Sequence, residues 1–257
     1  MRRAWRRLWR SLWLVAHLAL GALLCAFWLA PLARLRPRTA VARRARVVRA
    51  WMRALVRGLG IRVHCAGAIH PAPALVVANH ISWLDIPCLF ACTDGVFVAK
   101  RDVARWPLIG ALAAAVGTLF LARGQESSTA AERMTWLLAA GERVVIFPEG
   151  TSTDGAGVSI FHARLFQAAI RAGSAVQAVA IHYPHAHGLH PLVPFVGNDE
   201  FIHHLWRLLG EETIEAQIRF CAPLPAAGQE RRVLAAQSRR QICNALGLDV
   251  KALQATH

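Results

Sequence analysis

The sequence predicts an α/β fold, a sheet covered by helices, carrying an N-terminal hydrophobic helical anchor. Three observations predict it. Beyond residue 60, short apolar runs alternate with helix-length segments; Leu12 to Ala33 is apolar apart from His17; and arginines crowd both flanks of that stretch. Strands alternating with helices argue for a sheet layered with helices. The 257 residues suit one large domain with a short extra segment. We divide the chain into an N-terminal membrane anchor and basic interfacial helix, 1–58, and an α/β domain, 59–257.

The anchor comes first. Trp9, Trp13 and Trp28 lie near the two ends of the apolar stretch. At about 1.5 Å per residue a helix of this length approaches the roughly 30 Å hydrocarbon thickness. A spanning helix would leave one arginine cluster outside, against the positive-inside tendency. A re-entrant or interfacial hairpin, broken near Pro31, keeps both clusters on one face and is the favoured expectation. A basic helix from about Ala40 to Gly58 follows, placed along the headgroups.

The net charge of +15 calls for an anionic partner. Arg2, Arg3, Arg6, Arg7 and Arg10 precede the apolar run, and Arg34, Arg36, Arg38, Arg43, Arg44, Arg46 and Arg49 follow it. Such clusters bind the headgroups of an anionic inner leaflet, each charge contributing about 1 kcal/mol. No zinc-finger spacing, RNP-like strand or basic heptad helix is present, so nucleic acid is not expected as a partner. The six cysteines, Cys25, Cys65, Cys88, Cys92, Cys221 and Cys243, show no CxxC spacing. They are expected to be reduced thiols on the cytoplasmic side, with Cys88 and Cys92 as small buried apolar residues.

In the domain, strands are predicted at Ile61–Cys65, Ala74–Ala78, Gly95–Ala99, Thr118–Leu121, Arg143–Phe147, Ala175–Ile181 and Thr213–Phe220. Helices are predicted at Ile86–Cys92, Trp106–Ala115, Ser127–Ala140, Ala163–Ala172, Phe201–Leu209 and Gln229–Leu246. Ligand sites in such sheets collect where strands end and helices begin, and the chemically informative residues fall there.

In ALVVANHISWLDIP, a buried strand runs into a turn and a helix. His80 follows the strand, and Asp85 stands just before Pro87 in the opening turn of the helix. In a continuous helix these two would point about 140° apart; in a strand–turn–helix junction they can meet. An imidazole backed by a carboxylate is the base half of a hydrolase or transferase triad. No serine or cysteine is needed if the substrate brings its own hydroxyl. The competing expectation makes Ser82 an N-cap, Asp85 its capping-box partner and His80 an ordinary turn residue.

VVIFPEGTSTDG repeats the strand-to-loop pattern. Pro148 stiffens the loop, Gly150 admits close approach of a ligand, and Thr151, Ser152 and Thr153 supply hydroxyls for a polar headgroup. Glu149 suits glycerol or headgroup donors, or orients a basic residue. A plain Pro-Glu-Gly turn is the alternative. In VGTLFLAR, the run through Gly117 and Phe120 ends on Arg123, whose planar fork suits phosphate or carboxylate. Lys100 and Arg101 end another strand and add positive potential. Solvated surface charge is the alternative for all three.

These segments resemble the PlsC-type glycerolipid acyltransferase family. The first block, N-H-x4-D, is Asn79, His80 and Asp85; the second, G-x-x-F-x-x-R, is Gly117, Phe120 and Arg123; the third, F-P-E-G-T, is Phe147 through Thr151. The linking stretch FVAKRDVARWPLIG is also similar. The resemblance covers about residues 60 to 200 and implies a mixed sheet flanked by helices. It implies that His80 is the general base that deprotonates a lysolipid hydroxyl, which then attacks the thioester of acyl-CoA or acyl-carrier protein. Asp85 would orient His80; Arg123 with Glu149, Gly150 and Thr151 would hold the headgroup, alongside Gly117, Phe120 and Lys100. No metal or cofactor is implied beyond the acyl donor as co-substrate. The implied reaction converts 1-acyl-glycerol-3-phosphate to phosphatidic acid at the cytoplasmic face of the bacterial inner membrane.

Two departures bear on the acceptor. Ala178 in QAVAIHY stands where the family's fourth block carries proline, and TSTDGAGVSIFHARLFQ lacks the glycine after its phenylalanine. The second segment is similar to a bacterial branch that includes lyso-ornithine lipid acyltransferases, which makes lyso-ornithine lipid the alternative acceptor. IHYPHAHGLH gathers His182, His185, His187 and His190, but it reads as a Pro/Gly loop facing the membrane or carrier rather than a metal site. The C-terminal helix, with Arg231, Arg232, Arg239 and Arg240, reads as a solvated packing helix. A serine lipid hydrolase ranks low because no G-x-S-x-G elbow is present. A non-catalytic basic membrane-binding protein is opposed by the presence of His80, Asp85 and Glu149.

Overall fold

The computed structural model describes residues 1–29, 37–106, 109–121, 128–186 and 188–248. All seven predicted strands form one sheet: β1 (Ile61–Ala66), β2 (Ala74–Ala78), β3 (Val96–Lys100), β4 (Leu119–Leu121), β5 (Val144–Ile146), β6 (Ala175–His182) and β9 (Ile214–Phe220). Their order is β1-β9-β6-β2-β5-β3-β4. Every pairing is parallel except β6 with β9, so the sheet is mixed. The central strands are continuous apolar runs because both faces are covered. All five residues of β2 are buried, whereas β9, at the less covered side, alternates buried with more exposed positions.

The two-residue period of a strand divides the core. Val76 and Ala78 point into one apolar cluster with Val145, Ile181 and Ile218. Leu75 and Val77 point into the other with Val144, Val176 and Ala180. Helices α2 (Pro37–Gly58), α3 (Asp85–Cys92) and α7 (Phe201–Leu209) fill the first face. Helices α5 (Ser128–Ala139), α6 (Gln167–Ala172) and α8 (Arg231–Leu246) fill the second. The short helix α4 (Ile109–Ala115) precedes β4.

Three predicted elements differ in detail. The helix expected from Trp106 begins at Ile109, after a 3-10 segment at Arg101–Arg105. The helix expected from Ala163 opens as a 3-10 turn, Ala163–Phe166, before α6. The histidine-rich loop contains a small hairpin, β7 (Pro184–His185) with β8 (Gly188–Leu189), and His187 lies outside the described residues. The cysteine expectation is corrected. Cys65 on β1 and Cys92 at the end of α3 form a disulfide, Cα to Cα 6.2 Å. They are 27 residues apart, so only the packing of α3 on the sheet brings them within bonding range. Cys88 is buried and free, as expected.

Near the N-terminus, α1 (Arg2–Leu24) continues into a π-helical turn at Cys25–Leu29. The stretch Arg2–Phe27 is the one helix among the described residues long and apolar enough to cross a membrane. The expected break near Pro31 lies outside the described residues. α1 packs antiparallel on α2, because the Trp13 ring covers Gly58 while the Trp51 ring covers Gly21. A β-carbon at Gly21 would stand 2.6 Å from the indole of Trp51, so the close approach needs glycine there. An exposed apolar stripe, including Trp5, Trp9, Leu12 and Val15, faces away from the domain.

The first arginine cluster does not wait for lipid. Arg6 donates to Gly210 O at 3.1 and 3.0 Å, and Arg10 donates to the carbonyls of Leu209, Glu211 and Glu212 at 3.3, 2.6 and 3.1 Å. Arg3 pairs with Glu211 at 2.7 Å, and the Arg7 guanidinium lies 5.2 Å from the Trp206 ring centroid. The carbonyls that end α7 carry its negative dipole end and have no partner inside the helix. Cations of α1 satisfy them, and this docks the start of α1 on the domain.

Candidate active site

The strand order sets the site. β2 lies between β5 and β6, parallel to both. The segments that leave the C-terminal ends of these three strands therefore meet. They carry His80 after β2, Phe147–Thr151 after β5, and Tyr183 after β6.

His80 and Asp85 do fold back on each other. His80 Nδ1 lies 2.8 Å from Asp85 Oδ2. That same oxygen accepts the main-chain N–H groups of Ile81 and Ser82 at 2.7 and 2.9 Å. An oxygen taking two amides is an acceptor, so Nδ1 carries the proton and Nε2 keeps its lone pair. The other carboxylate oxygen, Oδ1, accepts the Tyr183 hydroxyl at 2.7 Å. Asp85 is fully buried. Only half of the capping-box alternative forms: Asp85 accepts the Ser82 N–H, but the Ser82 hydroxyl is buried without a partner among the described residues and caps nothing. The carboxylate instead shapes the turn that presents His80.

The loop after β5 holds the same imidazole. The Phe147 ring stacks on it with centroids 4.1 Å apart and planes at 18°. Glu149 accepts the His80 main-chain N–H through Oε1 at 2.7 Å and the Ser159 N–H through Oε2 at 2.7 Å. Burial pushes the Glu149 carboxyl up from its usual range, opposed by the N–H groups of Ser159 and His80. Thr153 donates twice to His80 O, from N at 2.8 Å and from Oγ1 at 3.1 Å. His80 is thus gripped at its ring, its N–H and its carbonyl by residues far away in sequence. Gly150 adopts φ +73°, which a side chain resists. The His162 imidazole also stands 3.0 Å from where its β-carbon would be.

His80 lines a cavity of about 1480 Å³, larger than the roughly 300–1,000 Å³ of ordinary small-molecule sites. Its lining is apolar along Leu14 and Leu18 of α1, Trp51 and Met52 of α2, and Phe90 and Phe97 of the domain, and includes Gly150, Thr151 and Ser152 with His80. The cysteine nearest the pair in sequence, Cys88, is no competing nucleophile. Cys88 is buried, and that burial pushes its thiol up.

A base of fixed tautomer beside a cavity of lipid size suits transfer to or from a hydroxyl that the substrate supplies. The sequence model of the acyltransferase family matches residues 60–182, which span all three blocks. The lyso-ornithine lipid O-acyltransferase of Pseudomonas aeruginosa is 39% identical over 91% of this chain and 90% of its own length. The chain belongs to the acyltransferase family. The 1-acyl-sn-glycerol-3-phosphate acyltransferase of Neisseria gonorrhoeae is 32% identical over 68% of this chain and 69% of its own. In fold, the chain is similar to the crystal structure of the Thermotoga maritima acyltransferase PlsC, with a TM-score of 0.70 at 18% identity, covering 100% of this chain and 99% of that one.

The other predicted site residues of this acyltransferase are dispersed. Lys100, at the end of β3, lines the cavity. Gly117 turns with φ +83° into β4, with the Arg44 guanidinium 3.2 Å from where its β-carbon would be. Phe120 pairs with Ala99 in β4–β3. Arg123 lies outside the described residues. Glu149 stands behind His80 rather than in the cavity wall. Phe147 and Tyr183 were missed as site residues; Phe147 was legible in the third block, whereas nothing local marks Tyr183. Arg231 and Arg232 are exposed, as expected, and also line the cavity together with His162 and Arg164.

Proposed function

We propose that this acyltransferase esterifies the free hydroxyl of a lysolipid from the thioester of acyl-CoA or acyl-carrier protein, with His80 as general base. The observation that carries this reading is the His80–Asp85 pair, whose free Nε2 belongs to an imidazole lining the large apolar cavity. His80 Nε2 takes the hydroxyl proton while the oxygen attacks the thioester carbonyl. The tetrahedral intermediate collapses, the C–S bond breaks, and the proton returns from His80 to the leaving thiolate. Asp85 holds the imidazole and stabilises its cationic form. Thr151 and Ser152 line the same cavity, and their main-chain N–H groups serve as donors to an oxyanion or headgroup. Lys100 and Arg123 supply positive charge for the headgroup.

Lyso-ornithine lipid is the proposed acceptor. It is supported by the longer and closer match to a protein of that name and by the segment after the third block. The leading expectation from sequence, 1-acyl-glycerol-3-phosphate, is the second reading, supported by the Neisseria relative. Residues 1–58 act as the membrane anchor on the catalytic unit 59–257, at the cytoplasmic face of the inner membrane and among anionic lipids. The exposed stripe of α1 supports that attachment, and the docking of Arg3, Arg6 and Arg10 on the end of α7 favours the hairpin over a helix whose start lies across the bilayer.

The test is acyl transfer by membranes carrying wild type or His80→Ala, supplied with labelled acyl donor and each lysolipid separately. Ester formation on lyso-ornithine lipid, reduced about 10²–10⁴-fold in the variant, is the expected result. Activity on 1-acyl-glycerol-3-phosphate alone would transfer the assignment to the second acceptor. Full activity in His80→Ala would remove the general-base reading.

A further inference from the structure

The chain has a single tyrosine, and the fold spends it on the catalytic carboxylate. Tyr183 is buried to 2% exposure between β6 and the small β7–β8 hairpin. A buried phenol hydroxyl needs a partner, and this one donates to Asp85 Oδ1 at 2.7 Å. The two carboxylate oxygens are divided. Oδ2 serves the catalytic turn alone, through Ile81, Ser82 and the His80 ring. Oδ1 takes its hydrogen bond from a residue 98 positions away.

The placement of that hydroxyl is rigid. Asn79, directly before His80, exchanges two hydrogen bonds with Ile181 at 2.9 and 2.7 Å. His190 N–H donates to Tyr183 O at 2.9 Å. The end of β6 is therefore bolted to the start of the catalytic turn, and the tyrosine carries the bolt through to Asp85. A phenylalanine would fill the same volume, so the hydroxyl answers to the carboxylate.

We propose that Tyr183 is a positioning residue for acyl transfer, which holds Asp85 in register with His80 and, by drawing charge toward Oδ1, moderates how strongly Asp85 stabilises the protonated imidazole. This rests on the general-base reading of His80. A base that must both take a proton and return it works best when neither form is strongly favoured. Without the hydroxyl, the carboxylate charge concentrates on the oxygen that faces His80. The protonated ring is then favoured, and less of the enzyme carries a free base at low pH.

Other titratable groups face this assembly. Cys88 of α3 also contacts the Tyr183 hydroxyl. Glu149 sits on the His80 main chain, His162 covers Gly150, and Lys100 and Arg164 line the cavity. None is altered in the test. Burial and Asp85 push the Tyr183 phenol up, so its own ionisation does not enter the acidic limb of a rate profile.

Because the tyrosine is single, uniform incorporation of 3-fluorotyrosine changes this site and no other. The fluorinated phenol is nearly isosteric and a stronger donor. Three forms of the full chain in vesicles are compared by kcat, KM and pH profile: wild type, the fluorotyrosine protein, and Tyr183→Phe. Tyr183→Phe is expected to lower kcat about tenfold, to leave both KM values within about twofold, and to move the acidic limb of kcat to higher pH. The fluorotyrosine protein moves that limb to lower pH. Coincident limbs in the three forms overturn the proposal, whatever the loss of kcat, because packing alone does not shift them. Should Tyr183→Phe fail to fold, the fluorotyrosine protein decides by itself. His80→Ala in parallel separates the two ideas. If that variant is inactive and the limbs coincide, only the role of Tyr183 falls; if it is fully active, the general-base reading falls.

Discussion

Two histidines of this acyltransferase are stacked on aromatic rings, and only one is built to act. His80 has a carboxylate at Nδ1 and an aromatic ring on its face, and its side chain keeps 20% exposure toward the cavity. His17 in α1 is stacked between Trp13 and Trp51, each 4.6 Å away. It is buried, and its Nε2 has no partner among the described residues. Both rings are oriented by aromatic packing. The difference lies in the acid that sets the tautomer and in an open nitrogen, so burial of a histidine by itself carries no chemistry.

Substitutions around the two histidines test that contrast. The largest effect is expected from Asp85→Asn, which leaves the volume of the turn but offers the His80 ring, Ile81 N–H and Ser82 N–H a weaker acceptor. It should lower kcat by about a hundredfold or more with the lysolipid KM little changed, measured in vesicles. A loss below about threefold would show that His80 needs no carboxylate. Phe147→Ala comes next, with about a tenfold loss of kcat from a freer imidazole. Unchanged kcat would reduce the stacked ring to packing.

Glu149→Gln reads the neighbouring carboxyl through stability. Burial raises its value in the folded state above the ordinary 4.5. Folding therefore favours the protonated form. Stability is greatest below about 4.5 and is lost as pH rises through the raised value. Glutamine does not ionise, so it escapes that loss but gives up an acceptor for Ser159 or His80 at every pH. The gap between variant and wild-type thermal midpoints should therefore narrow as pH rises from about 4 to 8. A constant gap would contradict the buried, ionising carboxyl. The smallest effect belongs to His17→Leu. Removing a buried unpaired nitrogen should keep the thermal midpoint at or above that of wild type and leave kcat within about twofold. A large fall in kcat would mean that the α1 sandwich communicates with the site.

Much of the fold was legible because its signals are local. Seven apolar runs announced seven strands, and H-x4-D announced a turn in which two side chains meet within five residues. The third block announced the strand-to-loop junction beside it. What remained hidden was the partner of each local feature. Glu149 was expected to meet headgroup donors or to orient a basic residue, and which residues it holds was not legible: its oxygens take the His80 and Ser159 amides, 69 and 10 residues away. The N-terminal arginines were expected to seek lipid, yet Arg6 and Arg10 reach carbonyls about 200 residues on. The scattered spacing of Cys65 and Cys92 gave no sign of their bond.

By itself the sequence determined the elements, their periodicity and the His–Asp turn, because backbone propensity and short spacings act over a few residues whatever the rest of the chain does. The tertiary structure decided which strands flank β2, and through that order which residues surround His80. Parallel neighbours place their C-terminal ends side by side, so β5 delivers Phe147 and Glu149 and β6 delivers Tyr183 to one point. Residue spacing along the chain holds no record of that convergence, since strand order depends on how the two apolar faces of the whole sheet are covered.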